Sequence, residues 1–259
     1  MVRRLLILCA LALTLTGCSG SSACDSAGGS AACTRVLFIG NSYTFVNDLP
    51  TMFASLAGSG GHSVRTGMVA EGGATLAEHA ASAETATTLA SSRWSIVVVQ
   101  EQSEIPSDDE LRQTEMYPAA RRLVSMIRAA GAEPLFFLTW AHRDGWPEAG
   151  MADYASMQSA IDDGYLAIAR AQQVGIAPVG YAWWTLYHQE PEASLWQDDG
   201  SHPTVEGTYL AACVFYAAIF GQSPEGLAYR AGLPGDEAAT VQEIATTVVL
   251  GDPATWGLH

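Results

Sequence analysis

Two short stretches hold side chains that can do chemistry together: Asp199-Gly200-Ser201-His202-Pro203, and Val36-Leu37-Phe38-Ile39-Gly40-Asn41-Ser42. An acid three residues before a histidine, with a serine on the loop leaving an apolar strand, supplies every side chain of a nucleophilic hydrolase site. Ser42 would attack, His202 would take and return a proton, and Asp199 would fix the imidazole tautomer and support the imidazolium. Each stretch alone has a plainer reading. Gly-Asn-Ser also suits a polar strand-to-helix turn, and Asp-x-x-His also suits a helix N-cap. Together they point to a hydrolase. Thr44 stands where the Gly-x-Ser-x-Gly elbow of an α/β-hydrolase has its second glycine, so that fold is disfavoured.

Of the six histidines, only His202 has an acid at short spacing in a loop that enters a helix. His62 precedes a strand and belongs at the opposite edge of the sheet, and His259 ends the sequence. His79, His142 and His188 follow strands, within reach of a pocket. Glu101 and Glu104, beside Gln102, raise paired-carboxylate glycosidase chemistry, but nothing fixes their separation. Trp140, His142, Trp183, Trp184 and Tyr187 suit either a platform for sugar rings or ordinary packing. No Cys/His spacing fits a zinc site, and no metal or other cofactor is expected. All 12 basic residues are arginines. That excludes Schiff-base chemistry, a lysine base and a P-loop lysine. A formal net charge of −15 argues against nucleic acid or an anionic surface as the main partner.

These residues must be held by an α/β scaffold. Arg35 to Ile39, Trp94 to Val99, Pro134 to Thr139 and Ile176 to Val179 are apolar without alternation, the pattern of parallel strands buried on both faces. A weaker fifth strand is His62 to Met68. Helical spacing joins Leu49, Met52, Phe53 and Leu56 behind Asn47-Asp48. It also predicts one long helix from Leu111 to near Gly131, another over Met151 to Val174, and a last over Thr204 to Phe220 entered through Pro203. Alternating strands and helices imply a three-layer α/β/α domain around a doubly wound, five-stranded parallel sheet, with chemistry beyond the carboxyl ends of the strands.

The first residues, Met1-Val2-Arg3-Arg4 and then Leu5 to Leu15, form a basic start and an apolar stretch too short to span a membrane, which reads as an export signal. It ends in Leu15-Thr16-Gly17-Cys18, similar to the lipobox of bacterial lipoproteins, where the cysteine after the cleavage point is lipid-modified. Residues 1–17 are thus read as a signal peptide, 18–34 as a lipid-anchored flexible tether, and 35–259 as the catalytic domain. The expected location is the cell envelope, periplasmic or at the surface, with a membrane held through Cys18. Cys24 and Cys33 are able to close a small loop in an oxidising compartment, and Cys213 reads as a buried helix residue.

Gly-Asn-Ser after the first strand, Asp-Gly-x-His-Pro before the last large helix, and parallel strands between them resemble the SGNH/GDSL hydrolase superfamily over roughly residues 35 to 220. Leu37 to Thr44 with Asn47 to Pro50, and Val98 to Ser103, resemble a branch in which Gly-Asn-Ser replaces the usual Gly-Asp-Ser. The resemblance implies a flavodoxin-like fold, a triad of Ser42, His202 and Asp199, and an oxyanion hole to which Ser42 and Gly73 give amides. The superfamily's usual third donor, an asparagine, is absent. Gln102, which carries the same amide on a longer stem, stands in its place. The implied activity is hydrolysis of an ester through an acyl-enzyme, with a small-molecule or carbohydrate ester as first expectation. The alternative is a surface protein that keeps the fold and binds a ligand without turnover.

Overall fold

The computed structural model describes Cys24 and residues 33–258. The expected signal peptide, Cys18 and most of the tether lie outside the described residues, as does His259. Five strands form one parallel sheet: β1 (Thr34–Gly40), β2 (Val64–Ala70), β3 (Ile96–Val99), β4 (Glu133–Phe137) and β5 (Gly175–Ala177), in the order β2-β1-β3-β4-β5. This is the doubly wound arrangement expected from the sequence. The order reverses between β1 and β3, the switch point where such folds place their chemistry.

Right-handed crossovers dictate the layers. The step from β1 to β2 runs one way along the sheet and the later steps run the other. Helix Leu49–Ser59 therefore covers one face, and helices Leu76–Ala81, Ala83–Ser91, Tyr117–Ala129 and Tyr154–Gln172 cover the other. Helices Val179–Gln189, Val205–Phe220 and Gly235–Leu250 return to the first face, where Val205–Phe220 packs against Leu49–Ser59. The first and last of these three were not anticipated from the sequence. Val36 to Ile39 are wholly buried because the sheet covers both flanks and helices cover both faces. β2 is an edge strand with Met68 exposed, which explains its weaker apolar signal.

Under the first strand lies an aromatic cluster. Phe215 meets Phe38 edge-on at 5.3 Å and Phe137 at 5.0 Å, with Phe53 6.0 Å from Phe38. This fixes β1, and so the turn that leaves it, against two helices.

The helix expected from Leu111 is broken into a turn at Asp109–Leu111, a π-helical turn at Arg112–Met116 and the helix Tyr117–Ala129. Pro118 is the physical reason: it has no N–H for the carbonyl four residues earlier and its ring crowds that carbonyl, which the wider turn accommodates. Helix Val205–Phe220 begins one residue later than expected. Thr204 is its N-cap, accepting from Gly207 N at 3.2 Å, and Pro203 lies outside it. Cys24 and Cys33 form a disulfide, and Cys213 is a free, buried thiol in helix Val205–Phe220.

Candidate active site

Ser42 opens a single helical turn directly after β1. His202 Nε2 lies 2.9 Å from Ser42 Oγ, and His202 Nδ1 lies 2.6 Å from Asp199 Oδ2. A carboxylate only accepts, so Nδ1 carries the proton and Nε2 presents its lone pair to the serine hydroxyl. Asp199 Oδ1 accepts from Ser201 N and His202 N, both at 2.9 Å. Burial by itself would raise the Asp199 carboxyl. The Ser201 amide and the His202 ring and amide outweigh it and hold the group at about 2. The loop is closed by Gln197 N donating to His202 O at 2.8 Å, and tied to the loop after β4 by Arg143 N donating to Gly200 O at 2.8 Å.

What holds Ser42 in place is Asn41, buried and hydrogen-bonded through every polar atom. Asn41 N donates to Gln100 Oε1 and Gln100 Nε2 donates back to Asn41 Oδ1, both at 2.9 Å. Asn41 Oδ1 also accepts from Tyr43 N, and Asn41 Nδ2 donates to Ala74 O at 3.1 Å. One neutral side chain thus joins the loops after β1, β2 and β3. Gly40 permits this. A Cβ there would sit 2.3 Å from Gln100 Oε1 and 2.5 Å from Thr44 Oγ1, so no larger residue fits. Gln100 was not recognised in the sequence as part of the site. The available signal was a polar amide at the end of the otherwise apolar run Ile96-Val97-Val98-Val99.

The other expected residues divide clearly. Gly73 lies in the loop after β2 with φ +70°, exposed and with open space around its missing side chain. Its neighbour Ala74 is the residue that Asn41 holds. Gln102 Oε1 accepts from Glu104 N at 2.7 Å and Ile105 N at 3.1 Å, which fixes the oxygen end of the amide. The NH2 end has only Ser103 Oγ and Glu104 Oε2 near it, both at 3.4 Å. Glu101 is fully buried. Its Oε1 accepts from Leu76 N at 2.9 Å and Gln102 N at 2.8 Å, so it ties two loops together and is not half of an exposed acid pair.

Of the two readings open for the aromatic residues, packing holds for Trp140 and Trp183. Trp140 and Trp183 are wholly buried and stacked at 4.0 Å, with Tyr43 stacked on Trp140 at 4.4 Å and set edge-on to His202 at 6.0 Å. They brace the turn that carries Ser42 and offer no open platform. Trp184 and Tyr187 are half-buried beside Tyr154 on helix Val179–Gln189. His79 is a buried structural residue whose Nε2 donates to Gly40 O at 2.7 Å. His188 bonds Trp184 O within its own helix. His62 stacks on Phe220 at 3.8 Å beside the start of β2, at the opposite edge as expected. His142 joins the site, with Nε2 3.1 Å from Ser103 Oγ. Among the described residues no cluster of three or more metal-ligating side chains is present.

No protein-family model matches the chain, and no curated protein matches it. Solved structures do. A protein of Slackia heliotrinireducens assigned to the SGNH hydrolases is 29% identical over 73% of this chain and 100% of its own, with a TM-score of 0.62. A DUF4886 family protein of Bacteroides uniformis is 19% identical over 85% of this chain and 96% of its own, with a TM-score of 0.73. A variant of an acetyl-xylooligosaccharide esterase from Geobacillus is 16% identical over 71% and 93%, with a TM-score of 0.54. The last two likenesses speak for the fold. Fold and loop order thus define a hydrolase class in which a serine follows the first strand of a doubly wound sheet. The chain belongs to the SGNH/GDSL superfamily of serine ester hydrolases.

Glu101 generates a pH prediction. Burial raises its carboxyl from 4.5 to about 7, against the opposing bonds from Leu76 and Gln102. The unfolded chain loses that proton first, so the group's stabilising contribution is full below pH 4.5 and is lost as pH rises to about 7. Glu101→Gln keeps a side-chain acceptor and cannot ionise. Its stability relative to wild type should rise by an amount on the order of 3 kcal/mol between pH 4.5 and 8 in denaturant unfolding. A constant difference across that range would show that the carboxyl does not titrate there.

Proposed function

We propose that the protein is an exported esterase that removes an acyl group, from a carbohydrate or another small alcohol, with Ser42 as nucleophile. The observation that carries this reading is the unbroken hydrogen-bonded line from Asp199 through His202 to Ser42 Oγ. As Ser42 Oγ bonds to the ester carbonyl carbon, its proton passes to His202 Nε2, and the carboxylate of Asp199 stabilises the imidazolium. The carbonyl oxygen becomes an oxyanion, received by the amides of Ser42 and Gly73 and the NH2 of Gln102. The C–O bond to the alcohol then breaks, and His202 returns the proton to the departing oxygen. Water, deprotonated by the same imidazole, attacks the acyl-enzyme and frees the acid.

The pinned oxygen of Gln102 supports its place in this scheme, because it leaves the NH2 end, held only by long bonds of 3.4 Å to Ser103 Oγ and Glu104 Oε2, as the donor. A protein sharing the fold is an esterase of acetyl-xylooligosaccharides, which supports a carbohydrate ester as substrate here. Export and an anchor at Cys18 rest on the sequence Leu15-Thr16-Gly17-Cys18.

A fluorophosphonate should add once to the wild type and not to Ser42→Ala, read by intact mass; equal labelling of both would reject Ser42. Gln102→Ala should lower kcat by about two to three orders of magnitude with little change in KM, because the donor acts on charge that develops only in the transition state. Loss of thermal stability with kcat preserved would make Gln102 a purely structural residue. Cys18→Ser should leave uncleaved precursor or soluble protein, whereas an unaltered mature protein found wholly in the soluble fraction would refute the anchor.

A further inference from the structure

Beside the triad stands a polar wall that the hydrolytic scheme does not use. His142 Nε2 meets Ser103 Oγ at 3.1 Å, and among the described residues its Nδ1 has no protein partner. The ring is half-buried. Burial lowers its pKa despite the opposing charges of Glu104 and Asp199, so at neutral pH it offers one N–H and one lone pair. The Tyr43 phenol, near enough to Ser103 to feel its hydroxyl, lies 2.8 Å from Ser201 Oγ. Burial, outweighing the hydroxyls of Ser201 and Ser103, raises that phenol far above its ordinary value and keeps it protonated. Two neutral pairs, Tyr43–Ser201 and Ser103–His142, thus line the wall from the triad loop to the loop after β4.

The sheet order decides what this wall faces. Gly73 follows β2 on one flank of Ser42, while Ser103 and His142 follow β3 and β4 on the other. The loop carrying His142 is also the one clamped to the triad loop through Arg143 and Gly200. An acid that protonates a leaving oxygen must touch it. The alcohol half of the ester therefore departs on the His202 side, and its substituents run toward Ser103 and His142.

Neutral groups that both donate and accept match hydroxyls. A hydrocarbon alcohol would strip them of water without replacing the bonds, and the nearby carboxylates of Glu104 and Asp199 oppose an anionic one. We propose that Ser103 and His142 form the subsite for the departing alcohol and select one carrying a free hydroxyl beside the ester oxygen. This rests on the reading of Ser42 as the nucleophile.

The test uses 1-acetylglycerol and propyl acetate, three-carbon alcohols with and without neighbouring hydroxyls, each rate divided by its hydroxide-catalysed rate. Wild type should favour 1-acetylglycerol at least about tenfold in kcat/KM, one hydrogen bond's worth. His142→Ala should shrink that preference to within about twofold, mainly through a raised KM for 1-acetylglycerol, with clearly smaller losses on propyl acetate and 4-nitrophenyl acetate. His142→Asn, which keeps a donor and an acceptor, should retain part of it. A measurement free of variants runs the step backward: glycerol should intercept the acetyl-enzyme, forming its ester as Ser42 Oγ leaves, better than 1-propanol does. A wild type active on 4-nitrophenyl acetate yet indifferent to the alcohol, or equal losses on all three esters in His142→Ala, overturns the subsite alone. A wild type inert on every ester overturns the esterase reading and the subsite with it.

Discussion

Everything at the carboxyl edge of the sheet depends on one pair of neutral amides, Asn41 and Gln100. Parallel strands end in loops whose backbone groups have no ladder partners, and a serine on such a loop is placed only as well as the loop is held. Asn41 and Gln100 exchange two hydrogen bonds across the β1–β3 boundary, and the remaining donor of Asn41 reaches the loop after β2. Three loops thereby share a single rigid reference. A buried carboxylate at position 41 would have to hold its charge there or take up a proton, whereas the amide does neither.

Around this pair the same logic repeats with less central groups. Glu101 ties the amides of Leu76 and Gln102, His79 takes up the Gly40 carbonyl, and the stack of Tyr43 on Trp140 and Trp183 braces the turn from below. The triad loop itself is comparatively open, with the His202 and Asp199 side chains 35% and 48% exposed. Rigidity comes from the buried scaffold, and Ser42, His202 and Asp199 stand at its partly exposed rim.

Much of this was legible in the sequence because its signals are short-range or strongly periodic. Central strands show as unbroken apolar runs, and Asp199-x-x-His202 is fixed by the reach of a single loop. Residues whose meaning lies in a distant partner were harder to read. Gln100 is 59 positions from Asn41, and Ser103 is 39 from His142, so neither pairing leaves a local pattern. The aromatic residues stayed ambiguous in the sequence, where a sugar platform and ordinary packing leave the same pattern; Trp140 and Trp183 are core. The break at Arg112–Met116 follows from Pro118, a local signal that the apolar periodicity overrode.

The claim that a neutral amide at position 41 organises the site is tested most directly by the stability of Asn41→Asp against pH. The substituted carboxylate can still accept from Gln100 and Tyr43, but its other oxygen then faces the Ala74 carbonyl, where Asn41 donates. Losing that bond in a buried position costs about 1–3 kcal/mol or more at pH 8. Protonation restores an O–H donor, so the deficit relative to wild type should shrink steadily as the pH is lowered toward 4, with the rate of fluorophosphonate labelling at pH 8 falling in parallel with stability. A deficit that is absent, or that does not change with pH, would contradict the account.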